Sequence, residues 1–187
     1  MLRVCKIGEE VLRQKATPIE SVTDEIKQLA KEMLETMKEE NGVGLAAPQV
    51  GKSIRMFVVN ADDDVDRTFI NPQIVKMSSD LVDYEEGCLS IPSFYENIKR
   101  PSQVTIQFTN ENGEKQVLDA DGLLARVIQH ENDHLDGILY VDHGDAEFKK
   151  NVEETFAKRR ERAEKKALEK EAKAKRIAAK IAAKKQK

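Results

Sequence analysis

The sequence predicts an α+β fold: small antiparallel or mixed β-sheets with helices before and after them, followed by a basic C-terminal helix. Three observations predict it. The periodicities run helix, then many short strands, then helix, an order that suits α+β better than repeated βαβ units. Asn112-Gly113 stands between two strand-like segments and is a strong hairpin signal. From residue 145 to the end there is no Gly or Pro to interrupt a helix.

Residues 9–14 read as a short helix, with Gly8 before it and Pro18 beyond it. Asp24 is placed to cap a longer helix reaching about residue 41. Its apolar positions Ile26, Leu29, Ala30, Met33, Leu34 and Met37 recur at spacings of three and four. Gly42 is the expected terminator. A Gly-rich segment, 42–51, comes next. Strands are expected at 54–60, 68–76, 81–85, 94–99, 103–109 and 114–119, with an exposed acidic loop at Asp62, Asp63, Asp64 and Asp66. Asp121 is placed to cap a second amphipathic helix, 122–136, closed by Gly137. Phe148, Val152 and Phe156 keep an i, i+4 stripe that should pack on the body. Further on, Glu154–Lys158, Glu161–Lys165, Glu169–Lys173 and Glu171–Lys175 are i, i+4 pairs in the favoured order, as in a solvated single helix.

The chain has 187 residues, 40% of them hydrophobic and 35% charged, long enough to bury a core. No apolar run approaches the roughly 18 residues of a membrane span. The N-terminus lacks the apolar stretch of a secretory signal. Two Cys make no disulfide framework, so a cytoplasmic, reducing location is expected. The net charge of −3 is a cancellation. Residues 1–146 hold 15 basic and 27 acidic side chains, a balance of −12, whereas residues 147–187 hold 16 and 7, a balance of +9. An acidic body thus carries a basic tail, and that asymmetry is more informative than the total.

The sharpest chemical feature is His130-Glu131-Asn132-Asp133-His134, an H-E-x-x-H pattern on the second helix. At about 100° per residue, two His four apart lie within roughly 40° of each other, so both imidazoles can reach one metal ion. Glu131 is placed to take a proton from a water that the metal activates. Two His on the polar face of an ordinary helix would look the same. A catalytic site takes a third protein ligand. His143 lies beyond Gly137 in a polar turn and reads as a surface His. Cys88, in Glu86-Gly87-Cys88-Leu89-Ser90, is the better candidate, although a free Cys is most often a small buried hydrophobe. Cys5 fits that plain role. In Gly42-Val43-Gly44-Leu45-Ala46-Ala47-Pro48-Gln49, small residues leave backbone groups open to an extended peptide, and Gln49 adds an amide that could steady an oxyanion. The segment lacks the Lys-Ser/Thr ending of a phosphate-binding loop.

Together, GVGLAAPQ (42–49), EGCLS (86–90) and HENDH (130–134) resemble the three signatures of the peptide deformylase family, in the family's order and over residues 1–150. The resemblance implies a catalytic domain of 1–147, its sheets around a metal-binding helix, and a basic helical extension of 148–187. It implies removal of the N-formyl group from the formyl-methionine of nascent polypeptides, by metal-assisted amide hydrolysis that releases formate. Cys88, His130 and His134 would hold a divalent ion, iron(II) first, with zinc or nickel as substitutes. Glu131 would be general base and then acid, and Gln49 and the Leu89 N–H would hold the oxyanion. Val43, Gly44 and Gly87 would present backbone to the peptide. Leu123, Arg126 and Val127 would line the pocket for the Met side chain, Arg126 with its methylenes at the rim and its charge in solvent. Tyr95 stands about where some family members carry a substrate-contacting Arg. Glu86 and Arg100 could pair and orient the site.

The nearest enzyme alternative is an H-E-x-x-H metallopeptidase, which would draw its third ligand from a downstream His or Glu. An alternative of another class is an RNA- or ribosome-binding module with a decayed site. A basic helix can track phosphate, and a solvated, i, i+4-paired helix would look the same; the resemblance implies ribosome contact near the emerging chain. No membrane or DNA partner is expected.

Overall fold

The computed structural model describes residues 1–185, with side chains through residue 175. Residues 9–14 make a 3-10 turn over Glu10–Arg13, with Leu12 buried. Helix α1 spans Asp24–Glu39. Its N-cap is Thr23 rather than Asp24: the Thr23 hydroxyl accepts from the Ile26 N–H at 3.4 Å, and Asp24 and Glu25 sit in the first turn, facing the positive end of the dipole. The left-handed residue that ends it is Asn41 (φ 57), not Gly42. The Asn41 N–H returns to Lys38 O and the Gly42 N–H to Met37 O, a Schellman closure. Gly42 is needed for closeness instead, since a Cβ there would lie 2.8 Å from Leu89 Cδ1.

Seven strands follow. The Gly-rich segment itself holds β1 (Gly44–Ala46), then a 3-10 turn over Ala47–Val50. Next come β2 (Met56–Val59), β3 (Arg67–Met77), β4 (Leu81–Cys88), β5 (Ile91–Pro101), β6 (Gln103–Thr109) and β7 (Lys115–Asp121). Among the described residues every ladder is antiparallel; the one parallel contact is an isolated bridge, Thr17 to Ile54. β1-β2-β3-β6-β7 form one sheet and β4-β5 a separate hairpin. β6 and β7 pair in continuous register from Thr109–Lys115 to Gln103–Asp121, as Asn112-Gly113 predicts.

β2 explains the layering. All four of its residues are buried. Met56 and Val58 meet Met33 and Met37 of α1 in one cluster. Phe57 and Val59 face the other way, into a cluster with Val127 and Ile128. A strand covered on both faces loses polar alternation. β6, between β3 and β7, keeps it, burying Val104 and Ile106 and exposing Gln103 and Gln107. Phe57, Phe69 and Phe108 continue the second cluster, with ring centroids 4.7 and 4.3 Å apart.

Helix α2 (Gly122–Leu135) supplies Val127 and Ile128 to that cluster. Asp121 occupies its N-cap position without a side-chain cap bond. Gly137 (φ 74) ends it, as expected, and a Cβ there would lie 2.6 Å from Arg13 O. Helix α3 spans Ala146–Lys185. Phe148 packs with Phe94 and Tyr140, each pair of centroids 6.3 Å apart. The chain divides into two compact units, Met1–Lys149 and Lys150–Lys187. Within the second, Glu154–Lys158 and Glu171–Lys175 stand at 3.7 and 2.7 Å, as the helical spacing predicts. No helix among the described residues is long and apolar enough to cross a membrane.

Candidate metal centre and cleft

The hairpin β4-β5 and the helix α2 build the site between them. Period-two alternation puts Glu86 and Cys88 on one face of β4, and the register shifts between them at Gly87. One turn of α2 puts His130 and His134 on one face, with ring centroids 5.1 Å apart. A sulfur of Cys88 and one nitrogen from each imidazole lie within 4.8 Å of one another. Cys88 Sγ is 3.3 Å from His134 Nε2. Ligands at a tetrahedral angle around a metal with ordinary bond lengths would stand about 3.6 Å apart. The donor set therefore fits a divalent ion. Glu131 Oε2 is buried beside it with no hydrogen-bond partner, which fits a centre completed from outside the chain.

The surroundings fix the ligands. His130 Nδ1 is 2.9 Å from Glu86 Oε2, which leaves Nε2 for the cluster. The Tyr140 ring stacks on His130 at 6.0 Å, and its hydroxyl donates to Phe94 O at 3.0 Å. Glu86 also accepts from Arg100 Nε at 2.6 Å, Arg100 Nη2 at 3.0 Å and Arg126 Nη1 at 2.9 Å. Arg100 Nη1 donates onward to Asp133 at 2.7 Å. Burial would raise the Glu86 carboxyl, but His130 and Arg100 outweigh it and hold it well below the usual carboxylate range. Burial likewise opposes a charge on His130, yet Cys88 and Glu86 pull its pKa well above normal, so the metal-free cluster attracts positive charge. Burial pushes His134 down, which keeps its imidazole neutral and able to ligate. Burial also pushes the Glu131 carboxyl up to about 7, where a group can both take and return a proton.

Above the cluster lies a cleft of about 680 Å³. Val43, Gly44, Gln49, Gly87, Cys88, Leu89, Leu123, Arg126, Val127, His130 and Glu131 all line it, and His134 completes the cluster. All twelve residues singled out from the sequence thus come together. Gln49 is oriented: its Oε1 accepts from the Ala46 N–H at 2.8 Å, so its Nε2 faces Cys88 Sγ (3.3 Å) and Ser90 Oγ (3.2 Å). A Cβ on Gly44 would overlap Glu131 Oε1 and stand 2.7 Å from Val127 Cγ1. On Gly87 it would stand 2.7 Å from the Tyr95 ring, and Tyr95 also lines the cleft.

One expectation is overturned. Arg126 does not keep its charge in solvent. It is 7% exposed, and besides Glu86 it donates to Ile98 O at 2.8 Å and Val82 O at 2.6 Å. A buried guanidinium needs a buried acid, and Glu86 supplies it. The Glu86–Arg100 pair is present as expected. Cys5 is buried, and His143 is a partly exposed partner of Asp133 at 2.8 Å, apart from the cluster. The sequence reading missed the Glu86–His130 bond, Asp133, Tyr140 and Ser90. Asp133 lies inside HENDH and Ser90 inside EGCLS, so both were within view; Tyr140 carries no local signal.

A family model described as polypeptide deformylase matches residues 1–150. A peptide deformylase of Treponema pallidum subsp. pallidum is 50% identical over 139 residues, covering 74% of this chain and 85% of the relative. One from Caulobacter vibrioides is 48% identical over 136 residues, covering 71% and 79%. Among solved structures, peptide deformylase from Ehrlichia chaffeensis in complex with actinonin matches with a TM-score of 0.82 at 32% identity, over 85% of this chain and 97% of that one. The enzyme from Synechococcus elongatus, also in complex with actinonin, matches with a TM-score of 0.75 at 44% identity, over 77% and 79%.

Proposed function

This chain belongs to the polypeptide deformylase family, and from that premise we propose which of its residues hold the metal and which move the proton. The reaction is the family's: metal-dependent hydrolysis of the N-formyl group from the N-terminal formyl-methionine of newly synthesised proteins, with release of formate. Cys88, His130 and His134 hold the ion. The single observation that carries this assignment is their convergence within 4.8 Å from two elements far apart in sequence. When bound, the ion polarises the formyl carbonyl and makes water a stronger acid. Iron(II) is the proposed native metal, with zinc or nickel able to replace it; one thiolate and two imidazoles suit each.

Glu131 takes a proton from the attacking water and returns it to the leaving amine. Gln49 Nε2 and the Leu89 N–H face the oxygen on which negative charge develops. Val43, Gly44 and Gly87 offer backbone to the extended peptide, and the absence of a side chain at Gly44 keeps Glu131 accessible. Leu123 and Val127 make the apolar wall for the Met side chain. Arg126 closes that wall while holding Glu86, and through it His130.

Residues 1–147 form the catalytic domain and 148–187 a basic extension that contacts the ribosome near the emerging chain, in the cytoplasm where such chains are made. The +9 balance of residues 147–187 supports that contact. Anaerobic purification with metal analysis, assayed by formate release from formyl-Met-Ala-Ser, tests the central reading. Near-stoichiometric metal and turnover are expected, with loss of both in Cys88→Ala. Full metal retention by Cys88→Ala would remove that residue from the ligand set.

A further inference from the structure

Three consecutive residues near the start of the chain bond to both carriers of the anion-facing amides. The Cys5 N–H donates to Gln49 O at 2.7 Å, and the Ile7 N–H donates to Ser90 O at 3.0 Å. Between them, Lys6 Nζ donates to Leu89 O at 2.8 Å. Gln49 and Ser90 are themselves joined side chain to side chain at 3.2 Å. The two segments are therefore tied to each other and, by three bonds, to residues 5–7, which lie outside every helix and strand.

Lys6 is used unusually here. It is half-buried and lines the cleft. Among the described residues its ammonium has no carboxylate within ion-pair distance; its acceptor is the Leu89 carbonyl. A charge-assisted bond to a carbonyl is stronger than a neutral one. The Leu89 N–H belongs to the peptide group before its Cα and the C=O to the one after, so holding that carbonyl, and the next one through Ile7, anchors Leu89 from its C-terminal side and narrows the range over which its N–H can swing. Oxyanion donors act only within about 2.7–3.1 Å of the charge they meet, and small misplacements are costly.

We propose that Cys5–Ile7, and chiefly the Lys6 ammonium, is a positioning element that sets the Leu89 N–H and the Gln49 amide for the developing oxyanion. The proposal rests on the reading that those two amides hold it. Lys6 does not touch the substrate's reacting atoms. It acts through Leu89.

The test compares Lys6→Met, Lys6→Arg and Gln49→Ala in the metal-loaded full-length enzyme on formyl-Met-Ala-Ser. Losing a whole oxyanion donor costs about 10²–10³ in kcat, so displacing one should cost less. Lys6→Met is expected to lower kcat about 5- to 20-fold, leave KM within about twofold, and leave metal per chain unchanged. Lys6→Arg should recover most of the loss, since a guanidinium can reach the same carbonyl. In a Gln49→Ala background, Lys6→Met should cost less than it does alone, because the two act on one interaction. A fall of less than about threefold in Lys6→Met, equal losses in Met and Arg variants, or a loss that tracks metal content would overturn the proposal. If Gln49→Ala leaves kcat unchanged, the oxyanion reading falls and the proposal with it. If Gln49→Ala lowers kcat and Lys6→Met does not, the positioning role alone falls.

Discussion

Glu86 joins Arg100, Arg126 and His130 at the centre of the site, so Glu86→Gln is the most informative single change. Its carboxylate is 5% exposed and receives four hydrogen bonds, two from Arg100 and one each from Arg126 and His130. The amide keeps the shape, removes the charge, and turns an N–H₂ toward groups that are already donors. Stripping one partner from a buried ion pair costs about 3–5 kcal/mol. The low end applies here, because Arg100 keeps Asp133 at 2.7 Å and Arg126 keeps the Val82 and Ile98 carbonyls. At about 3 kcal/mol and roughly 2–4 °C per kcal/mol for a chain of this size, Tm should fall by about 6–12 °C. His130 also loses the acceptor that orients its ring, and partners of that kind contribute about 10- to 100-fold in metal affinity. Urea titrations of chelator-treated and metal-loaded protein separate the two effects, since binding adds stability only to the loaded form. A metal-free loss under about 1 kcal/mol, with metal affinity unchanged, would refute the reasoning.

Glu131→Gln should keep its metal but lose about 10²- to 10⁴-fold in kcat on formyl-Met-Ala-Ser, as expected for a positioned proton-transfer group; near-normal turnover would reject that role. Gly44→Ala should impair turnover more than stability, because the added methyl meets Glu131 and Val127; an unchanged kcat/KM would show that the cleft relaxes around it. Asp142 should contribute to acid resistance. Burial would raise its carboxyl, but Arg13 and Lys149 hold it down at about 2. Its folded pKa lies below the unfolded value of about 3.9, so its contribution is full above that pH and disappears as pH falls through 2. Arg13 is over a third exposed, and screening limits the contribution to about 1 kcal/mol; urea midpoints of Asp142→Asn and the parent should differ at pH 6 and converge near pH 2. Truncation after Lys158 should leave deformylation of a short peptide intact and weaken ribosome co-sedimentation in a salt-dependent way; unchanged co-sedimentation at low salt would refute the tail's role.

What could be read from the sequence, and what could not, divides by range of interaction. α1, α2 and the β6–β7 hairpin follow from spacing and a two-residue turn, which are local. β1 escaped because three residues, Gly44–Ala46, are too few to show alternation and are buried throughout. The ends of α1 shifted by a residue each because Thr23 competes with Asp24 for the cap and Asn41 with Gly42 for the left-handed position. In the site, the metal-ligand candidates lie in motifs that announce their chemistry, but their orientation comes from partners far along the chain, Gln49 for Cys88 at 39 positions and Glu86 for His130 at 44. Arg126 carries a signal of such a partner in its own position. It lies four residues before His130, on the same face of a helix whose next turns are buried. A cation there cannot stay in solvent and cannot stay unpaired, so its position alone demands an acid from another element. Glu86, the acid of the EGCLS segment, lies two residues before the ligand Cys88 and therefore on its face of the strand. Those two periodicities, 3.6 and 2, put Arg126 on the face of His130 and Glu86 on the face of Cys88, so one metal site shared by the two elements brings Arg126 and Glu86 together, and with them the network that holds His130.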